Sequence, residues 1–242
     1  MINLHQSPGQ RYNFLLDRIQ FACDQSNRPI SEVTLLGATK SKSFDVIKPF
    51  LDLGLNCIGE NYLQDAIEKI QLVSNYKPSV EKHFIGHLQT NKIKKVLENF
   101  DLIQSVDSIK LLKELNKRIP QVFSDREVEK ERYPVFMEVN LSGDENKSGC
   151  KPDELFDIIN YITDETDFIQ CKGLMTISPL NMVDSSALHN FFNKMHTLFE
   201  NVQNSFPDCT VLSMGMSDDF EIAIEEGSTM IRIGTLLFGS RP

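Results

Sequence analysis

Lys40 directly follows residues 33–39, an apolar run of strand-forming residues that delivers the lysine to the end of a buried β-strand. A lysine at such an exit is a candidate amine nucleophile. Desolvation disfavours its ammonium form, so the neutral amine that attacks carbonyls is available at a lower pH than for a free lysine. The alternative is a solvated lysine that only ends a strand, and the other strand ends must decide between the two.

Residues 212–219 form a second stretch that could do chemistry, because they read as a strand, a tight glycine turn and the start of a helix. A helix N-terminus offers unpaired N–H groups and a positive dipole to a phosphate. Ser217, together with Gly234 and Thr235 after the next strand, is suited to donate to such a group. The alternative is a plain helix cap at Ser217 and a plain strand exit at Gly234.

The elements that must position these residues alternate regularly between strand-like and helix-like patterns. Eight strand-like runs are found, at residues 33–38, 56–59, 83–86, 102–106, 134–140, 168–177, 210–214 and 230–233. This alternation predicts an α/β protein that folds as one (β/α)8 TIM barrel over residues 1–242. An extra N-terminal helix before the first strand would close the bottom of the barrel or pack on its flank. The charge-rich residues 120–132 are expected to be a solvated excursion.

An open, doubly wound sheet is the competing architecture. It usually carries a glycine-rich phosphate loop after the first strand, and residues 37–41 do not match one.

Composition excludes several classes of function. The chain has 34 acidic and 25 basic side chains, and its net charge of -9 argues against sequence-independent binding of nucleic acid or of an anionic membrane. No apolar run approaches the roughly 20 residues that span a bilayer, and the N-terminus lacks the order of a secretory signal. The five cysteines include no CxxC pair and no histidine at metal-ligand spacing, so we expect reduced, structural cysteines and no metal. A cytoplasmic location is expected.

In such a barrel the functional residues lie where the strands end, because the following loops converge on one opening. The strand ends carry one lysine, one arginine and several amides and hydroxyls. Arg232 lies between Ile231 and Ile233, so it must point to the opposite face from them. It faces either the barrel opening or the covering helices, and a structural salt bridge is the commoner reason for a buried arginine.

Several strings of residues, in this order, resemble one known family. They are ATK (38–40), IGENY (58–62), HFIGHLQTNK (83–92), NKSG (146–149), KGLM (172–175), LSMGMSDD (212–219) and IRIGTLLFG (231–239). From about residue 11 to its end the chain resembles the pyridoxal 5'-phosphate (PLP) homeostasis proteins. These are single-domain relatives of the barrel of alanine racemase.

The resemblance implies PLP as cofactor and a set of six binding residues: Lys40, Asn61, Ser217, Arg232, Gly234 and Thr235. Lys40 would form the Schiff base, and Arg232 would face the pyridine nitrogen. Ser217, Gly234 and Thr235 would hold the phosphate. A permanent cation at the ring nitrogen would weaken the electron sink that most PLP enzymes use.

The implied function is non-catalytic: a cytoplasmic monomer that carries or buffers PLP in vitamin B6 homeostasis, with PLP and apo PLP-dependent enzymes as partners. Catalysis in the racemase relatives also needs a tyrosine base from a second domain. Eight residues follow Gly234 here, and none is a tyrosine. One alternative is a small PLP-dependent amino-acid racemase whose base comes from a loop or a partner subunit. Another is a Schiff-base aldolase without cofactor.

Overall fold

Eight parallel strands close into a barrel in which each strand pairs with its neighbours in chain order. The computed structural model describes residues 6–123, 132–144, 147–179, 182 and 184–239. The strands are Thr34–Ala38 (β1), Cys57–Glu60 (β2), Glu81–Phe84 (β3), Leu102–Val106 (β4), Tyr133–Glu138 (β5), Ile169–Met175 (β6), Val211–Ser213 (β7) and Met230–Ile233 (β8). β1 pairs with β8 over four residues, so the first and last strands leave no open edge. The predicted (β/α)8 barrel is confirmed, and the open sheet is excluded.

Helices follow the strands around the outside of the barrel. They are Pro8–Gln25 (α1), Phe44–Asp52 (α2), Leu63–Tyr76 (α3), Ile93–Asn99 (α4), Ile109–Phe123 (α5), Leu155–Glu165 (α6), Ser185–Ser205 (α7), Phe220–Glu225 (α8) and Thr235–Phe238 (α9). α7 shows why they form: its N-cap Asp184 accepts the N–H groups of Ser186 and Ala187, and its apolar side chains recur every three or four residues. Within the described ranges, none of these helices combines the length and apolar character that crossing a bilayer requires.

The extra helix α1 packs on the flank of the barrel. Arg18 donates two hydrogen bonds, of 2.8 and 2.7 Å, to the carboxylate of Glu221 on α8. Arg28, just after α1, donates from Nη1 to the carbonyls of Ile224 and Ser228, both at 2.9 Å. Of the two positions that the sequence allowed for this helix, the flank is therefore the one it occupies.

The apolar core has two layers, and the inner one is interrupted by polar groups. One layer lies between barrel and helices, and the other fills the barrel interior with side chains such as Leu36, Phe136 and Met230. His83, Gln104, Ser213 and Arg232 are also buried. Arg232 follows Met230 by two residues on β8, so alternation directs both into the barrel. The interior is therefore both apolar and hydrogen-bonded.

Three helix boundaries differ from the sequence-based prediction. The sequence predicts helices that begin at Pro152 and at Asp218, and a helix that ends before the charge-rich residues 120–132. α6 begins at Leu155, after a turn that opens at Pro152, and α5 runs past Pro120 to Phe123. Pro120 is tolerated because it removes only one hydrogen bond near the end of that helix. The rest of the predicted excursion, residues 124–131, lies outside the described residues. α8 begins at Phe220 instead of Asp218.

Candidate functional site

The loop after β1 presents Lys40 at the carboxyl end of the barrel. Thr39 is fully buried, and its N–H donates to the carbonyl of Gly59 at 2.9 Å. The N–H of Lys42 returns to the carbonyl of Thr39 at 3.1 Å, and Ser41 adopts a φ of 60° to close this turn. Lys40 is thus a half-buried side chain on a tight, hydrogen-bonded turn.

A buried ion pair between Lys69 and Glu60 holds the turn that carries Lys40 in place. The ammonium of Lys69, on α3, lies 2.6 Å from Glu60 Oε1, and the two side chains are only 7% and 1% exposed. Lys69 Nζ also donates to the carbonyls of Thr39 at 2.8 Å and Lys42 at 2.9 Å. The hydroxyl of Thr39 donates to the same Glu60 carboxylate. One lysine therefore holds both sides of the turn that carries Lys40.

Two opposing effects act on the pKa of the Glu60 carboxyl. Burial raises its pKa, while the charge of Lys69 and the hydrogen bonds from Lys69 and Thr39 lower it. The net effect is a raised pKa, and loss of the Lys69 ammonium would raise it further.

Arg232 is a second buried cation, fixed at the ends of β6 and β7. Its Nη1 donates to the carbonyl and the hydroxyl of Ser213, each at 2.8 Å, and its Nη2 donates to the carbonyl of Thr176 at 2.8 Å. Burial lowers its pKa to about 10, and the nearby charges of Asp219 and Glu138 oppose that shift. A group with this pKa stays charged at neutral pH.

A chain of hydrogen bonds extends from Arg232 through the barrel interior. Ser213 Oγ donates to Gln104 Oε1 at 2.7 Å, and Gln104 Nε2 lies 2.8 Å from His83 Nδ1. His83 Nε2 lies 3.3 Å from the carboxylate of Glu81, at the amino end of β3. The guanidinium at the carboxyl end of the barrel is thereby tied to its amino end, which we call the floor.

Glu138 brings a titratable carboxyl to the same end of the barrel. It is the last residue of β5, and Phe136, two residues earlier, packs in the barrel interior, so both side chains face inward. Burial and the charge of Asp107 raise the pKa of Glu138 to about 7, and only Arg232 opposes them. Its charge therefore changes near neutral pH.

The predicted phosphate-binding residues lie in the loops after β7 and β8. The interpretation of Ser217 as a helix cap is wrong, because α8 begins three residues later with Asp219 at the N-cap position. The Asp219 carboxylate instead accepts the N–H of Met216 at 2.6 Å and the hydroxyl of Ser178, which makes residues 216–219 a turn. Thr235 is exposed at the first position of α9. The six-residue assignment stays a prediction.

Two features of this end of the barrel fit a polar ligand. The side-chain oxygen of Asn61 is buried and accepts no hydrogen bond from the residues that the structure describes. A buried acceptor without a partner is costly, so it suits a ligand donor or an ordered water. At Gly234 an added Cβ would lie 3.3 Å from the carbonyl of Ala38, so this backbone runs close to β1. The residues present fit PLP: an amine, a fixed cation, an unpaired acceptor and backbone N–H groups.

Three contributors to this end of the barrel were missed from sequence: Lys69, Glu138 and Gln104. Lys69 had a signal, because it falls on the buried face of α3 with Ala66 and Val73. Glu138 sits within an apolar strand, where alternation with Phe136 would have turned it inward. Gln104 carried a similar signal in the middle of the buried strand β4.

The chain is similar to known proteins along almost its whole length. A family model described as the N-terminal domain of alanine racemase matches residues 36–242. The pyridoxal phosphate homeostasis protein of Pasteurella multocida is 39% identical over 225 residues, which cover 92% of this chain and 93% of the relative. The chain belongs to the pyridoxal phosphate homeostasis protein family.

Solved structures agree with this family membership. PipY of Synechococcus elongatus, solved with PLP bound, is 32% identical with a TM-score of 0.76, over 92% of this chain and 99% of PipY. Alanine racemase of Clostridium difficile, in complex with cycloserine, is 16% identical with a TM-score of 0.67, over 94% of this chain and 60% of the racemase. At that identity the racemase shares the fold alone.

Because Lys69 and Glu60 form a buried ion pair, we expect that replacing Lys69 lowers the free energy of unfolding by an amount that depends on pH. Lys69→Met leaves Glu60 as an unpaired buried carboxylate and is expected to cost about 3 to 5 kcal/mol of the free energy of unfolding. Because burial then raises the folded-state pKa of Glu60 further, the protonated carboxyl is tolerated at low pH and stability is lost as pH rises. Urea unfolding at pH 5 and pH 8 measures the difference.

The double variant Glu60→Gln/Lys69→Met should recover part of that loss at pH 8. The exposed lysine variant Lys94→Met should change little. An equal loss at both pH values, with no recovery in the double variant, would contradict the role of the pair.

Glu138 predicts a pH dependence of its own. Its folded pKa of about 7 lies above the ordinary 4.5, so the folded state binds the proton more tightly than the unfolded chain. The resulting stabilisation is complete below about pH 4.5 and is lost as pH rises through 7, a change of roughly 3 kcal/mol. Glu138→Gln should remove this slope in urea unfolding of the ligand-free protein, whereas the exposed Glu98→Gln should keep it. The same pH dependence of the unfolding free energy in Glu138→Gln and wild type would refute the raised pKa of Glu138.

Proposed function

We propose that this protein binds pyridoxal 5'-phosphate through Lys40 and carries or buffers it in vitamin B6 homeostasis, without catalysis of its own. The observation that carries the proposal is the buried Glu60–Lys69 pair, which fixes the turn presenting Lys40. The PLP bound to PipY and the names of the curated relatives support the choice of ligand.

The chemistry of PLP matches these side chains. When bound, PLP supplies an aldehyde to a lysine amine and a ring that withdraws electrons. Lys40 provides the amine, and its anchored turn limits where that amine can reach. Ser217, Gly234 and Thr235 are proposed to hold the phosphate, because loops after the last two strands of such barrels commonly do so. The unpaired oxygen of Asn61 offers an acceptor.

The charge of Arg232 argues for binding over turnover. Its guanidinium is held by three hydrogen bonds and stays charged at neutral pH. A fixed cation facing the pyridine nitrogen disfavours protonation of that nitrogen, which weakens the ring as an electron sink. The side chains of this pocket can therefore hold the ligand while giving little help to carbanion chemistry.

One observation favours the alternative, a small amino-acid racemase. Glu138 is an inward-facing carboxyl whose pKa is raised to about 7, which suits a general acid or base. Such a residue could replace the tyrosine of the racemase relatives.

The proposal extends to a cytoplasmic monomer that hands PLP to apo PLP-dependent enzymes. All five cysteines are free and buried, as expected for a reducing compartment.

The test measures transfer and turnover in the same preparation. Protein loaded with PLP is mixed with an apo-aminotransferase, and recovery of transaminase activity is followed beside racemisation of L-alanine by the loaded protein alone. We expect stoichiometric transfer and no racemisation. Lys40→Ala should still fold, lose the visible Schiff-base band and load little PLP, whereas the exposed Lys94→Ala should match wild type.

Steady racemisation that is lost in Lys40→Ala or Glu138→Gln would favour the racemase. An unchanged visible band in Lys40→Ala would refute Lys40 as the attachment point. A colourless protein that borohydride inactivates only with a carbonyl substrate present would point to an aldolase.

A further inference from the structure

Three potential ligand atoms meet at the floor of the barrel, at the opposite end from Lys40. Cys57 Sγ, a carboxylate oxygen of Glu81 and a ring nitrogen of His83 all lie within 4.8 Å of one another. Cys57 opens β2 and pairs directly with Glu81, and His83 follows Glu81 by two residues on β3. Strand alternation therefore turns all three side chains to the same, inner face.

The three groups form a ligand set that Zn²⁺ prefers. A thiolate, an imidazole and a carboxylate from rigid elements, with a fourth position open, match known zinc geometries. Tetrahedral bonds of about 2.0 to 2.3 Å put ligand atoms roughly 3.5 Å apart, so this set must contract by about 1 Å. The side chain of Glu81 is 65% exposed and can make that adjustment.

An outer contact already orients the histidine. Gln104 lies 2.8 Å from His83 Nδ1, so the other ring nitrogen, Nε2, faces Glu81. In the present arrangement Gln104 Nε2 is the donor and His83 Nδ1 the acceptor, whereas the second nitrogen of a metal-binding histidine usually donates its N–H. Cation binding at Nε2 therefore requires the Gln104 amide to rotate so that its oxygen accepts an Nδ1–H, which replaces the hydrogen bond from Ser213 Oγ to Gln104 Oε1.

A simpler explanation accounts for only part of the cluster. A hydrogen bond between Glu81 and His83 explains that pair, and Cys57 alone would be an ordinary buried thiol. It does not explain why thiol, imidazole and carboxylate lie within 4.8 Å of one another at this end of the barrel. Binding a dication there releases the thiol proton to solvent and leaves a thiolate, a carboxylate and a neutral imidazole around the metal.

We propose that Cys57, Glu81 and His83 form a binding site for one zinc-class divalent cation at the floor of the barrel. The site is distinct from the proposed PLP pocket, because it shares no ligand residue with that pocket and lies at the other end of the strands, although Ser213 and Gln104 link its histidine to Arg232.

Cobalt is the probe for this site. Full-length protein, stripped with a chelator and then freed of it, is titrated with Co²⁺ under anaerobic conditions while absorbance is recorded. We expect one equivalent to produce visible d–d bands and a near-ultraviolet thiolate-to-cobalt band, both removed by one equivalent of Zn²⁺. Glu81→Gln should weaken binding at least tenfold, and Cys57→Ser should abolish the thiolate band.

Two matched variants should leave the spectra unchanged. Cys23→Ser alters another buried cysteine, on α1, and Lys40→Ala disables the proposed PLP attachment, so either proposal can fail without the other. No thiolate-to-cobalt band in folded wild type would overturn the site, as would equal Co²⁺ affinity in wild type and Glu81→Gln. If Cys57→Ser does not fold, Glu81→Gln decides alone, because its exposed side chain tolerates the change.

Discussion

The buried ion pair between Glu60 and Lys69 is the interaction on which the Lys40 turn depends. Burying two charges costs more than an apolar pair of similar size would, so the pair is a poor source of stability by itself. What it provides is position, because the Lys69 ammonium also binds the carbonyls on both sides of Lys40. A flexible loop could carry a lysine anywhere near the opening, whereas this turn fixes where its backbone lies.

Arg232 is likewise held in a fixed position, on the other side of the barrel opening. It is buried among carbonyls of β6 and β7, and its hydrogen bonds continue through Ser213 and Gln104 into the barrel. The barrel therefore presents one lysine and one fixed cation at its carboxyl end. A cation that faced the ring nitrogen of a bound PLP would weaken the ring as an electron sink.

Most of the strands could be predicted because they are largely apolar runs bounded by polar residues, and closure followed from their number and alternation. The predicted run 83–86 starts two residues after the start of β3, whose sequence is EKHF, because the first residues of β3 are charged. Ile231 and Ile233 place Arg232 on the face opposite to theirs, but only the structure shows that this face is the barrel interior. The contact between Lys69 and the turn that carries Lys40 could not be predicted. Lys69 is 29 residues away from Lys40 along the chain and reaches the turn only because α3 packs on the barrel. The cap assigned to Ser217 failed because Asp219 captures the N–H of Met216.

The claim that Lys40 is the attachment point is tested most directly by locating the covalent bond. Protein loaded with PLP is reduced with borohydride, digested and mapped by mass spectrometry. We expect one phosphopyridoxyl group per chain, on the peptide that contains Lys40. Modification spread over other lysines, or a main adduct at a site outside the β1–α2 turn, would contradict the account.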